Sequence, residues 1–291
     1  MKRKQTVGQA MRSSILIAIA CCALMLPTLT ANARPVVASD NASDVVYNDG
    51  WQTGDNGGFG FGAWALSTSG GNAGFFTGTS NNNGDGGGTG IDTAGESFGL
   101  FANSNDNPSA LASRPINNAI VVGETLTFGF DNGFVDGGLA PQFRLADSDG
   151  VARLTFQFVG GGNNYSVVDA GGTQNFGNGN GANDLGGYTD GGLVGIFTLT
   201  GLDTYALRMM RLDQPSQTAT ISGTLAGIGG SGITRLQAFT NARGGGGSGD
   251  YFVNSFQIET LAVVPEPGTL SLLVFAAGMV GVAGIRRKGN Q

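Results

Sequence analysis

Glycine interrupts this chain so often that few stretches could hold a helix of ordinary length. It supplies 53 of 291 residues, against a usual share of about 7%, and each interior glycine costs a helix about 1 kcal/mol relative to alanine. Between the glycine clusters lie short apolar runs that hold most of the 18 phenylalanines, so there is a core to bury. These runs alternate. Over 124–131, Leu126, Phe128 and Phe130 fall on one side and Thr125, Thr127 and Asp131 on the other. Over 151–159, Leu154, Phe156 and Phe158 oppose Arg153, Thr155 and Gln157. Strict alternation of this kind marks a half-buried strand.

Further runs predict strands over 59–66, 73–79, 97–102, 143–145, 194–200, 204–212, 218–225, 233–240 and 251–260. The last is expected to place Phe252, Phe256 and Ile258 on one face and Val253, Ser255, Gln257 and Glu259 on the other. Asp149-Gly150 between two alternating runs is a hairpin signal. Loops are expected over 81–90, 160–164 and 171–192. Roughly twelve strands in one stretch of this length predict an all-β fold, a glycine-rich, two-sheet, jelly-roll-like sandwich over 45–261. Residues 34–44, poor in large apolar side chains, read as a flexible lead-in. The run 233–259 resembles the closing strands of bacterial concanavalin-like jelly rolls.

Both ends of the chain carry addressing signals. Lys2, Arg3, Lys4 and Arg12 precede an apolar run over 15–26, and Ala31-Asn32-Ala33 supplies the small residues of a signal-peptidase site. A signal peptide over 1–33 follows, with cleavage after Ala33. A second reading is lipoprotein processing at Cys21, although the Leu usual three residues earlier is missing. The only cysteines, Cys21 and Cys22, both lie in this leader, so the mature body has neither a disulfide nor a thiol nucleophile. At the other end, residues 268–285 carry no charge and, as a helix, reach roughly 27 Å, close to the ~30 Å hydrocarbon core of a bilayer. Pro267 suits a first helical turn. Glu266 and the basic triplet Arg286, Arg287 and Lys288 match the two ends of the helix dipole. The triplet also predicts a cytoplasmic tail end, with the body outside.

Val264, Pro265, Glu266 and Pro267, the membrane helix over 268–285 and the basic end over 286–288 together resemble the PEP-CTERM sorting signal, here spanning 262–291. That resemblance implies export by a Gram-negative bacterium. It also implies passage through the inner membrane, recognition and removal of the tail by exosortase, and a destination in the cell envelope or outside it. Members are often encoded near exopolysaccharide genes, so an exopolysaccharide is the implied candidate ligand. Ala277 and Gly281 form a small-xxx-small pair within the tail, a pattern shared by dimerising spans.

Composition removes several function classes. The chain has no histidine, which excludes Ser-His-Asp and Cys-His catalysis and the usual zinc sites. Lysine occurs only at positions 2, 4 and 288, and residues 34–265 hold eight arginines against twenty acidic residues. Such an acidic body repels phosphate backbones, which argues against nucleic acid as a partner. It is compatible with calcium or a hydrated polysaccharide matrix, although solubility alone accounts for it.

No cofactor or metal centre is spelled out in the residues. Gly87-Gly88-Thr89-Gly90-Ile91-Asp92 fits one turn of a calcium-binding β-roll, but that architecture needs stacked copies and neither flank repeats it. Asp147-Ser148-Asp149-Gly150 lacks the first ligand and the terminal Glu of an EF-hand loop and reads as a turn. Glycoside hydrolysis needs two flanking carboxylates. The body holds only Glu96, Glu124 and Glu259 as glutamates, and no Glu-x-Asp-x-Glu strand motif. Trp51, Trp64, Tyr165, Tyr188 and Tyr251 are the candidate glycan-stacking residues, since an aromatic face suits the apolar face of a pyranose, although Trp and Tyr also build β cores. The expectation is a non-catalytic exported module that binds exopolysaccharide. The alternatives are a structural or adhesive matrix protein and a carboxylate-based glycoside hydrolase.

Overall fold

The computed structural model describes residues 34–82, 90–103, 107–177, 184–185, 187–189, 191–241 and 249–261. The leader over 1–33, with Ala31 and Ala33, lies outside the described residues. So does the tail over 262–291, with Val264, Pro265, Glu266, Pro267, Arg286, Arg287 and Lys288, as do residues 87–89 of the β-roll-like element. Among the described residues no helix is long and apolar enough to cross a membrane.

Arg34–Leu261 forms one compact unit, with fifteen strands among the described residues. In chain order these are β1 (Val36–Asp40), β2 (Ala65–Ser69), β3 (Ala73–Gly78), β4 (Ser97–Ala102), β5 (Ser109–Ile120) and β6 (Thr125–Asn132). There follow β7 (Gln142–Ala146), β8 (Ala152–Phe158), β9 (Tyr165–Asp169), β10 (Gly172–Asn175) and β11 (Leu193–Leu199). The last four are β12 (Thr204–Arg211), β13 (Thr218–Thr224), β14 (Ile233–Thr240) and β15 (Tyr251–Glu259). They make two antiparallel sheets. One runs β13-β12-β11-β6-β15-β4-β3, with β1 also on β15. The other runs β10-β9-β8-β7-β14-β5-β2.

The fold is the expected all-β sandwich. Leu126, Phe128 and Phe130 of β6 and Leu154, Phe156 and Phe158 of β8 all point into the core, as their alternation requires. The sheets meet through ring contacts such as Phe128 on Phe143, stacked at 4.0 Å. The Asp147–Gly150 turn closes the β7–β8 hairpin with Gly150 at φ +82°. There the Asp147 carboxylate accepts from the N–H of Asp149 and Val151.

Residues 34–44 are not a flexible lead-in. β1 pairs with β15 from Val36 opposite Glu259 to Asp40 opposite Phe256, and the buried Asp40 carboxylate accepts from Arg114 and from the Tyr47 hydroxyl (2.7 Å). Arg114 also donates to Asn56 Oδ1 and to the carbonyls of Gly57 and Gly62, and it packs over the Phe61 and Trp64 rings. A charge with that many donors satisfied can sit in a core.

β15 also departs from expectation. Ser255 adopts φ +55° and the pairing with β6 slips between Asn254 and Gln257. This bulge switches the inward face partway along the strand. Tyr251 and Val253 enter the core before it, and Phe256 and Ile258 after it. Phe252 turns instead to Phe76, at 5.5 Å. The expected 171–192 loop contains β10, which pairs with β9.

Candidate functional site

Three loops meet at the end of the sandwich where β6 and β8 finish and β11 begins. The β6–β7 loop turns back on the β8–β9 loop through Gly138 N–H to Gly160 O and Gly160 N–H to Leu139 O. A Cβ on Gly160 would stand 2.1 Å from the Asp136 carbonyl oxygen, so only glycine allows that approach. The third loop enters through Tyr188, whose hydroxyl donates to the Asn132 carbonyl at 3.1 Å.

Their junction leaves a recess of ≈ 240 Å³ lined by Phe134, Val135, Phe158, Gly161 and Tyr188. Phe158 forms the floor and is buried, whereas Phe134 is 58% exposed and Tyr188 37%. The Phe158 and Tyr188 rings lie 5.4 Å apart. Beneath them the Tyr165 hydroxyl donates to Asn132 Oδ1 (3.2 Å) and to the Thr189 carbonyl (3.3 Å), which fixes the frame that holds Tyr188.

Of the candidate stacking residues, only Tyr188 lines this recess. Trp51, Trp64, Tyr165 and Tyr251 are at most 4% exposed and cannot offer a ring face to a sugar. Trp51 and Trp64 pack edge-on at 4.9 Å, Tyr165 stacks on Phe156, and Tyr251 lies against Phe130. The size of these rings makes the core their preferred place. Phe134 was not anticipated, because nothing in the sequence separates one exposed phenylalanine from seventeen others.

Asp250 precedes β15 at this same end, where its carbonyl accepts from the N–H of Gly133 (3.0 Å). Burial pushes its carboxyl up to about 7. Burial also pushes the Asp40 carboxyl up to about 6, against the pull of Arg114 and Tyr47, but Asp40 is sealed in the core, out of a substrate's reach. Among the described residues no three His, Cys, Asp or Glu side chains gather as a metal-binding group.

Residues 263–288 match the PEP-CTERM protein-sorting motif, so this β-sandwich protein carries that motif next to its last strand. No curated protein matches the chain. Several solved structures resemble part of its fold. The carbohydrate esterase vb_24B_21 of the Shiga toxin-encoding bacteriophage phi24B is 13% identical, with 79% of this chain and 100% of that one covered at a TM-score of 0.45. A protein of Shewanella oneidensis MR-1 is 11% identical, with 91% and 99% covered at 0.45. The CBM2 module of the evolved Dit of Lactobacillus casei BL23 phage J-1 is 16% identical, with 76% and 96% covered at 0.42.

Proposed function

We propose that this chain is an exported protein of a Gram-negative cell envelope or extracellular matrix, and that its body is a non-catalytic module that binds exopolysaccharide. Signal peptidase removes the leader and exosortase processes the tail. The sorting motif at 263–288 supports the export half of this reading. The binding half rests on one observation, the recess flanked by the exposed rings of Phe134 and Tyr188. Two aromatic faces around an apolar floor match the C–H face of a sugar ring. Calcium held by the acidic loops is a second ligand to be examined in the same experiment.

The test is binding of residues 34–261 to the producing organism's exopolysaccharide, with calcium and then with a chelator. Saturable binding that weakens about tenfold in Phe134→Ala and in Tyr188→Ala is expected, since one ring contact accounts for about 1.4 kcal/mol. Loss on chelation would add calcium to the site. No binding in either condition would favour the structural or adhesive alternative. The sorting half is checked by mass spectrometry of the secreted protein, whose C-terminus is expected near Pro265; retention of Lys288 would contradict it.

A further inference from the structure

The end of the sandwich opposite the aromatic recess also exposes large apolar side chains. Here β5, β11 and β13 finish and β6, β12 and β14 begin. A recess of ≈ 410 Å³ opens among Ile120, Val121, Val122, Leu199, Leu202 and their neighbours. Its lining stands partly in solvent, with Leu202 80% exposed and Val121 56%, and Ile228 is 77% exposed in the adjacent β13–β14 loop, which Asp203 holds through the Gly230 N–H. Single exposed apolar residues are ordinary, but a cluster around a recess marks a surface that meets something.

The chain's own course indicates what that is. β15 runs from the aromatic end, where Tyr251 pairs with Asn132, to the apolar end, where Glu259 pairs with Thr125. Leu261 follows and lies over Gly123, where an added Cβ would stand 2.4 Å from the leucine Cδ1. Gly123 adjoins Val122, so the described chain leaves the body on the apolar rim itself. Six residues, 262–267, then separate it from the uncharged run at 268–285, and six residues span at most about 20 Å. While that run is in a bilayer, Leu261 and the apolar rim beside it can stand no more than about 20 Å from the lipid.

We propose that the apolar end rests on the bilayer surface until the tail is removed, with Leu202 and Ile228 entering the interfacial layer. This rests on the tail being a membrane helix, as the sorting reading holds. Two loop-borne side chains and a six-residue tether make a reversible contact, strong only while the chain is anchored. Removing the tail therefore releases both the tether and the body.

The test uses residues 34–291, a chain with no cysteine of its own, reconstituted into phosphatidylcholine vesicles. Single cysteines are introduced as Leu202→Cys, Ile228→Cys and, at the opposite end, Phe134→Cys; all three sites are exposed, so folding is preserved. Vesicle flotation reports on the tail, and the rate of labelling by a water-soluble maleimide reports on the contact. Relative to Phe134→Cys, labelling at 202 and 228 is expected to slow about tenfold between the soluble 34–261 unit and the vesicle-bound chain, the effect of burying one such side chain. A chain that fails to float overturns the tail reading and the docking with it. A chain that floats while all three sites react as in solution overturns the docking alone. Slow labelling at 202 and 228 already present in the soluble unit, growing with protein concentration, would assign this end to a second copy of the chain and overturn the lipid contact.

Discussion

Asp40 and Arg114 show how much one buried pair can organise. The two side chains are fully enclosed, and their partners Tyr47, Asn56, Gly57 and Gly62 tie the first strand and the segment after it to β5. Trp64 adds a hydrogen bond from its indole N–H to the Tyr47 hydroxyl at 3.2 Å. Removing one member of such a pair strands the other without its counter-charge. Asp40→Ala is expected to lower stability by about 3–5 kcal/mol. The less enclosed pair of Arg211 with Asp213, whose carboxylate side chain is 27% exposed, is a contrast, and Asp213→Ala is expected to cost about 1–3 kcal/mol. Urea unfolding of the two variants checks both; equal effects would mean that the buried pair is not a special support. None of this was legible in the sequence, where nothing separates Arg114 from the other arginines of the body. The recess was legible only at Tyr188, one of the few Trp and Tyr residues of the body, whereas one phenylalanine among 18 does not stand out.

At the level of strands, legibility followed the size of the side chains that alternate. β6 and β8 present Leu and Phe every second residue and were read correctly. β5, the longest strand, alternates just as strictly, but its inward side chains are Ala110, Ala112, Arg114 and Ile116. Two small residues and a charge carry too little hydrophobic contrast to register. β1 was missed for a related reason, since its inward residues are Ala38 and Asp40. In β15 the alternation was visible but the bulge was not, because nothing about a serine announces a left-handed backbone. That conformation is uncomfortable for any side chain and worst for a β-branched one. Ser255→Gly is therefore expected to keep or slightly raise stability, and Ser255→Val to lower it by about 1–3 kcal/mol. Thermal melts of the two variants decide whether the bulge is required by the fold or merely tolerated.

For the molecule as a whole, its acids set a preferred pH. Asp40 and Asp250 have folded values of about 6 and about 7, above the ordinary carboxylate value of 3.8. The folded state holds those protons more tightly than the unfolded chain, so their contribution is full below about pH 4 and is lost as pH rises through 6 and 7. Asp213 and Asp203 act the other way. The Arg211 side chain holds Asp213 below the usual range, and the Gly230 N–H and Arg153 do so for Asp203. Burial pulls Asp92 up, but donors from Thr79, Ser80 and Ser97 outweigh it. Stability from these three is lost as pH falls below about 4. The melting temperature is therefore expected to peak on the acid side of neutrality and decline toward pH 8, with mutual repulsion of the surplus acids adding to the decline. Asp250→Asn should flatten the upper part of that fall; an unchanged profile would mean that Asp250 is freely solvated.

The pairing of β1 with β15 also governs the order of events when the protein is made. Ala42, near the start of the body, donates its N–H to Asn254, 212 positions later. The first strand to be synthesised thus lacks its partner strand until nearly the last residues of the body have appeared. Contacts this distant in sequence form slowly, and until they form β15 leaves open the edge that β1 will cover. A nascent chain of this protein is consequently a longer-lived and stickier object than its finished size suggests, and the one strand that closes it is the strand that leads directly into the tail.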